Sequence, residues 1–525
     1  MGSDSSLIRA GSLLSWPAER YPNKVAIQYE GQEITYQQIN ERMNRLANGL
    51  IGLGLKKGDR VAAILYNSPR AVEVRFALMK AGLCLVPINI RQTWEENAYI
   101  INHSESSLLI LDGDYLATWE KMKKRCPGIR RVIVAGDAPG GFLAYEKVIQ
   151  DSDPAEPEVM IALDDLERIA YTSGTTGRPK GVMKTIGNEL ARLRNDFLNQ
   201  DCLIDETDIM LNVAPLTHAA RVPFLKFYLK GACNIILRSF REEEVLQTIQ
   251  RERVTAAMFV PTMIVRLVLF PKIREYDTRS LKQITFGQAP IPVERFRQAI
   301  EIFGNILRQT YGLSEATQPV FFLTPGDIAL KGDEKKVKRL SSAGRPALGI
   351  EVRIVNEKGE KVSPGEIGEI LIRGENVMKG YWKDPQSTAE VLKEGWLYTG
   401  DLARMDEDGF VYIVDRKKEM IISGGFNIYP REVEQAIESH PGVKEVAVIG
   451  VPDPVWGEAV KALIVAKPGV MISADEIIDL CRERIASYKK PKSIEFVSDL
   501  PKNFQGKILK RSLREEHWKN FARKV

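Results

Sequence analysis

Cysteine and histidine are sparse, and what there is excludes two classes of chemistry. The five cysteines, Cys84, Cys126, Cys202, Cys233 and Cys481, are scattered, odd in number and never spaced as a CxxC pair. That pattern argues against both a disulfide framework and a zinc site. The four histidines are equally dispersed, so no metal cluster is legible. Long apolar runs are also missing. The most apolar stretch, Ala256 to Phe270, is broken by Pro261 and Arg266 and is too short to span a bilayer. No secretory signal opens the chain, and a reducing cytoplasm is the expected compartment. MGSDSS does match the short N-myristoylation pattern through Gly2 and Ser6, although that pattern needs a eukaryotic host. Charge of one sign is lacking too. Seventy-four basic against 69 acidic residues leave +5, too little over 525 residues to argue for nucleic acid. The excess gathers at the end, where Lys489 to Lys524 holds 11 Lys/Arg against four Asp/Glu. This run reads either as a solvated face or as a surface for a polyanionic small molecule.

What is present is an ordinary globular composition, 44% hydrophobic and 27% charged, on a chain long enough for two or more domains. Val25 to Tyr36 reads as a hairpin turning at Glu30-Gly31. From there, helical periodicities that stop at glycine (Tyr36 to Gly54, Ser68 to Gly82) alternate with short apolar strands (Asp59 to Leu65, LCLVPIN, SLLILDGD, RRVIVAG). The rhythm returns in IMLNVAP, NIILRSF, TAAMFVP and ILRQTYG. Strand–helix–strand repetition implies parallel sheets covered by helices. From Ala343 the texture changes to short strands punctuated by glycine and charge, as in a small antiparallel, barrel-like sheet. Beyond Arg416–Lys418 a compact α+β unit is expected, including a helix N-capped by Ser473. The expected fold class is therefore α/β. Residues 1–416 form a large domain of helix-covered parallel sheets plus the small antiparallel part, and residues 417–525 a small α+β domain.

Tyr171 to Thr185, YTSGTTGRPKGVMKT, is the most informative stretch. Gly174, Gly177 and Gly181 alternate with the hydroxyls of Thr172, Ser173, Thr175 and Thr176, and Arg178 and Lys180 close the run. Successive backbone N–H groups in such a turn form an anion-binding concavity that hydroxyls and a lysine complete. A flexible polar surface loop is the plain alternative. The loop is not the Walker pattern, because Gly181 follows Lys180 where Ser or Thr is required.

This loop resembles that of the adenylate-forming superfamily, which comprises acyl-CoA synthetases, adenylation domains of peptide synthetases and beetle luciferases. Six further segments resemble that superfamily in order: PLTHAAR (Pro215 to Arg221), GQAP (Gly287 to Pro290), QTYGLSEAT (Gln309 to Thr317), GWLYTGDLARMDEDGFVYIVDRKKEMI, ISGGFNIYPREVE and PKNFQGKILKR. The resemblance implies ATP-dependent activation of a carboxylic acid to an acyl adenylate. Transfer to coenzyme A then releases AMP, pyrophosphate having left in the first step. Lys180 and the loop would hold the β- and γ-phosphates, and Glu315 a Mg²⁺ ion. Gly287, Gln288, Ala289 and Pro290 would contact adenine. Gln309, Thr310, Tyr311, Gly312 and Ser314 would complete the adenine side, with the Tyr311 ring against the base. Asp401 would accept from the ribose hydroxyls, with Arg416 beside it. Lys507 would bridge carboxylate and α-phosphate from the small domain, which would swing about a hinge at Lys418. Ser423, Gly424 and Gly425 would then admit the pantetheine arm. His218 would line the acyl pocket or gate the thiol.

Pocket candidates Thr217, His218, Val260, Met263, Gln288 and Thr317 are mixed in size and mostly uncharged, which suits a fatty, alicyclic or aromatic monocarboxylate. Several residues depart from the pattern: Ser314 for threonine, Ile186 for histidine, Gln288 for glycine and Thr217 for an aromatic. Two alternatives stand beside CoA ligation. One is an adenylation enzyme that loads a carrier protein, although no aspartate near PLTHAAR is placed to hold an α-amino group. The other is a silent nucleotide-binding relative, which predicts loss of Lys180, Glu315, Asp401 or Lys507; all four are present. A homodimer is compatible with the sequence, which does not specify oligomeric state.

Overall fold

A computed structural model describes residues 7–9, 11–172, 179–199, 201–217, 221–289, 291–423, 426–502 and 508–519. The hairpin forms as the sequence predicts. Val25–Tyr29 and Gln32–Thr35 pair antiparallel, and both turn residues, Glu30 and Gly31, have positive φ (49° and 78°), the geometry of a two-residue hairpin turn.

Two large sheets follow. In the first, strands 60–64, 84–87, 108–112, 131–135 and 143–144 run parallel. The antiparallel pair Leu166–Thr172 and Lys180–Thr185 extends it. The second sheet has nine strands. In its centre Cys233–Ile236, Ile209–Asn212, Ala256–Phe259, Gln283–Gly287 and Leu307–Tyr311 are parallel neighbours. Helices Tyr36–Gly52 and Pro69–Lys80 lie between the sheets. Ile39, Met43, Val72 and Phe76 pack toward Met210 and Met258 of the second sheet. Leu46, Leu50, Val74 and Leu78 pack toward Val61, Leu85 and Ile110 of the first. A helix apolar on both sides fits only such a buried layer.

Buried charge in that layer is paired, as an isolated interior ion would be costly. Arg75 reaches Glu189 at 2.8 Å and Glu167 at 3.4 Å. Glu167 lies in the strand that leads into the 173–178 segment, and Glu189 in the helix that follows the returning strand. One arginine therefore ties both flanks of that segment to the core.

An antiparallel sheet of Glu351–Val355, Gly368–Arg373, Trp396–Met405 and Val411–Arg416, with the short strand Leu392–Lys393, forms the third layer. A last sheet is built wholly from later residues, 421–423, 426–428, 443–453, 457–466 and 493–496, with helices 430–438, 474–484 and 510–518. Ser473 caps its helix as expected, its side chain accepting from Glu476 N. Among the described residues no helix is long and apolar enough to cross a membrane.

Candidate active site

Thr172 and Lys180 sit opposite each other in the antiparallel pair, so the two ends of the glycine-rich stretch are pinned side by side. Gly181 is needed there, because a Cβ would lie 2.8 Å from Ile169 Cγ2 and 3.1 Å from the Tyr171 ring. Lys180 Nζ donates to Ser387 Oγ at 2.6 Å, stands 4.0 Å from Asp384 and lies 5.0 Å over the Tyr381 ring. The Tyr381 hydroxyl in turn donates to Glu315 Oε1 at 2.9 Å. Burial, and then the Glu315 carboxylate, push this phenol well above its ordinary pKa, so it stays a donor. Lys180 and Glu315 are far apart in sequence and meet around one tyrosine.

The backbone of Glu315 is held as firmly as its side chain. Lys184, almost fully buried, donates from Nζ to the carbonyls of Glu315 and Asn376, each at 3.2 Å, and Met378 N donates to Glu315 O at 2.7 Å. Motif reading missed Tyr381 and Lys184. The one visible signal was a lysine inside the apolar strand GVMKT. Tyr381 lay in GYWKD, outside every quoted motif, and gave none.

A second cluster gathers Tyr311, Asp401 and Arg416. Asp401 is 5% exposed and pairs across the strands with Arg416. Its carboxylate accepts from Tyr311 Oη at 2.5 Å and from Arg416 Nε at 3.1 Å. Asp401 in turn raises the Arg416 pKa, and burial together with Asp401 raises that of Tyr311. Phe321 stacks on Tyr311 with centroids 5.0 Å apart, so one ring face is already covered. The motif strands are direct neighbours, with Phe286 opposite Gln309 and Gly287 opposite Thr310. A Cβ on Gly287 would lie 2.1 Å from Thr310 O, and one on Gly312 would lie 2.6 Å from Gln318 N. Gln288, which replaces the usual glycine, takes φ +74°, a conformation that strains a side-chain-bearing residue and is common at functional sites. Gln288, Ala289 and Ser314 are exposed, whereas Thr310 is buried and donates to Gln318 Oε1 at 3.2 Å.

The pocket candidates are less concentrated. Val260 and Met263 are half-buried where strand Ala256–Phe259 passes into helix Pro261–Val268, and Thr217 is half-buried too. Thr317 is buried, with its carbonyl accepting from Asn376 Nδ2 at 2.7 Å. Ser173, Gly174, Thr175, Thr176, Gly177, His218, Pro290, Gly424, Gly425 and Lys507 lie outside the described residues.

In strand Val411–Arg416, Asp415 is buried and accepts from Arg416 N (2.7 Å) and Arg431 N (2.8 Å). Lys418 is exposed, and its carbonyl accepts from Arg514 Nη1 at 3.0 Å. Ser423 pairs with Phe426 and with Gly457. Part of the basic C-terminal run is neutralised by acidic residues of its own domain. Lys489 pairs with Glu432, Lys492 with Asp453, Lys502 with Glu445, Lys510 with Glu434 and Arg511 with Glu515. Five of the 11 basic residues in that run are thus paired within it or with nearby acids, and that share of its charge is structural.

The sequence model of the AMP-binding enzyme family matches residues 14–382, and that of the AMP-binding enzyme C-terminal domain matches residues 432–507. The chain belongs to the AMP-binding enzyme family. Within this adenylate-forming superfamily it is an acyl-CoA synthetase. A feruloyl-CoA synthase from Amycolatopsis is 40% identical over 515 residues, 97% of this chain and 99% of that protein. A medium/long-chain fatty acid–CoA ligase of Mycobacterium tuberculosis is 33% identical, over 98% of this chain and 91% of its own. Among solved structures, an anthranilate CoA ligase in complex with anthranoyl-AMP superposes with a TM-score of 0.88 at 28% identity, covering 98% of each chain. In this acyl-CoA synthetase the clusters around Tyr381 and Asp401 come from all the motif segments between Tyr171 and Arg416 except the two that carry His218 and Gly287.

Proposed function

We propose that the Lys180–Tyr381–Glu315 cluster holds the triphosphate of ATP and that Tyr311, Asp401 and Arg416 hold its nucleoside. The acid is thereby activated to acyl-AMP before transfer to CoA. The observation that carries this is the meeting of Lys180 and Glu315 at Tyr381. A carboxylate is a poor electrophile, and its approach to a polyanion must be offset by preorganised positive charge. Lys180 is such a charge. It rests on Ser387 and Asp384, neutral or weakly paired partners from which a phosphate can draw it.

The residues fit a Mg²⁺ ion. Glu315 Oε1 is occupied by Tyr381, no described residue binds Oε2, and among the described residues no cage of three or more ligating side chains exists. A single carboxylate beside phosphates is a usual Mg²⁺ arrangement. When bound there, the ion would neutralise phosphate charge. Tyr381 and Lys184 fix where the Glu315 carboxylate points. Asp401 accepts from the ribose hydroxyls, with Arg416 Nε paired to its Oδ1. Gly287 and Gly312 let the backbone around Tyr311 pack closely, since a Cβ at either would strike Thr310 O or Gln318 N. Lys507, arriving from the small domain, would neutralise the acid carboxylate and the α-phosphate together, and its withdrawal about Lys418 would admit the thiol past Ser423, Gly424 and Gly425.

Pyrophosphate release from ATP that depends on an added acid, with thioester formed only when CoA is present, tests the reading. Release with no thioester would favour a carrier protein as acceptor. Lys184→Met supplies a residue-level check. It is expected to cost about 1–3 kcal/mol in urea unfolding and to raise the Mg²⁺ concentration needed for half-maximal pyrophosphate release. Unchanged Mg²⁺ dependence would confine Lys184 to a structural role.

A further inference from the structure

We propose that Tyr99 and His103 are positioning residues for the triphosphate site, holding the chain on either side of Lys180 and beside Tyr381. The inference rests on the reading of Lys180 and Tyr381 given above and adds the element that sets their place.

Helix Trp94–His103 follows strand Cys84–Pro87, the neighbour of Leu166–Thr172 in the first sheet, so it ends beside the site. A capping box fixes its start: the Thr93 hydroxyl accepts from Glu96 N, and the Glu96 carboxylate accepts from Thr93 N. Tyr99 and His103 are four residues apart and therefore neighbours on one helix face. Their rings stack, with centroids 5.3 Å apart. Tyr99 Oη donates at 3.2 Å to the carbonyl of Pro179, the residue before Lys180. His103 Nδ1 lies 2.8 Å from Tyr171 Oη, and Tyr171 pairs across the strands with Gly181, the residue after Lys180. The helix grips both sides of Lys180.

A third bond brings in Tyr381. The last carbonyls of a helix have no partner within it. That of His103 accepts from Trp382 Nε1 at 2.9 Å, and Trp382 N donates to Gly181 O at 2.7 Å. Trp382 follows Tyr381, which is paired with Val182 on the strand of Lys180. One helix end is thus bonded to the immediate neighbours of both site residues.

Lys180 has need of such a hold. Its side-chain partners, Ser387 and Asp384, are those it must leave to reach a phosphate, so its backbone has to define where the charge arrives. The chemistry of the brace is also more than packing. Tyr171 is 6% exposed, and burial raises its pKa, so the phenol keeps its proton. Burial and then Lys383 lower the pKa of His103, so its ring is neutral near pH 7 and Nδ1 can accept from Tyr171. Phenylalanine at 99, 103 and 171 would fill the same space. Only the hydroxyls and the imidazole tie it to the site.

The test uses the full-length enzyme with ATP, Mg²⁺, CoA and whichever of acetic, decanoic and cinnamic acids gives the fastest wild-type pyrophosphate release. Tyr171→Phe and His103→Phe each remove the bond between the two rings. Each is expected to raise the KM for ATP about fivefold, the worth of one net hydrogen bond. His103→Asn keeps an acceptor near the place of Nδ1 and should recover most of that loss. The double variant should cost no more than the worse single one, since both act through one bond. Transfer from preformed acyl-AMP to CoA should change far less. Tyr99→Phe loses only a half-buried hydroxyl and should raise the KM for ATP about threefold, which keeps the proposal testable if the other variants do not fold. An unchanged KM for ATP with only a lower Tm, additive losses in the double variant, or equal losses in both half-reactions would overturn it. Absence of pyrophosphate release from the wild type with every acid would instead defeat the acid-activating reading itself.

Discussion

Lys507→Ala is expected to slow acyl-adenylate formation by ~10²–10³-fold, the size of effect seen when one preorganised transition-state donor is removed. Thioester formation from preformed acyl-AMP and CoA should stay within a few-fold of wild type. The asymmetry follows from where charge must be neutralised. Only the first half-reaction brings a carboxylate against a triphosphate; the second joins a thiol to an activated carbonyl. Lys507 also belongs to the small domain. Its flanks are held side by side, since Lys502 and Ile508 pair in an antiparallel bridge and Leu509 N donates to Pro501 O. Single-turnover measurement of each half-reaction decides the matter. Equal losses in both would remove Lys507 from the adenylation step and with it the hinge assignment at Lys418.

Asp401→Ala is expected to raise the KM for ATP by about 100-fold. A buried carboxylate that accepts two ribose hydroxyls makes charge-assisted hydrogen bonds worth about 1.5–3 kcal/mol each. Part of that is lost already in the free enzyme, because the mutation also leaves Tyr311 Oη and Arg416 Nε without their acceptor. The KM for the acid should change far less. Asp401→Asn keeps an oxygen acceptor but loses the charge, and should fall between. An unchanged KM for ATP in Asp401→Ala would place Asp401 outside the nucleotide site and leave it a structural partner of Tyr311 and Arg416.

Much of this was legible without coordinates, for a physical reason. A phosphate-binding turn is local: its glycines, hydroxyls and lysine must follow one another in the chain, so the sequence alone could propose Tyr171 to Thr185 as one. The same holds for the hairpin at Glu30-Gly31, where two consecutive residues need positive φ, and for the Ser473 cap, where a side chain meets an N–H three residues on. Strand and helix periodicities are local too, and they predicted the helix-covered parallel sheets.

How much of the basic C-terminal run is paired was not legible, because pairing is not local. Glu432, Glu434, Glu445 and Asp453 lie dozens of residues from the lysines they neutralise, on the far side of several strands and helices.

What the sequence by itself determined is the reaction class, carried by short motifs whose residues must be contiguous. What only the tertiary structure decided is how those motifs are held together. Tyr381 joins Lys180 to Glu315, and Lys184 fixes the Glu315 backbone, across gaps of some 60 to 200 residues. Tyr99 and His103 reach Pro179 and Tyr171 because the strand before their helix is the neighbour of Leu166–Thr172 in the first sheet. Alternation along a strand tells which residues share a face, whereas the neighbour of each strand is set by crossovers through helices, and no local pattern records that choice.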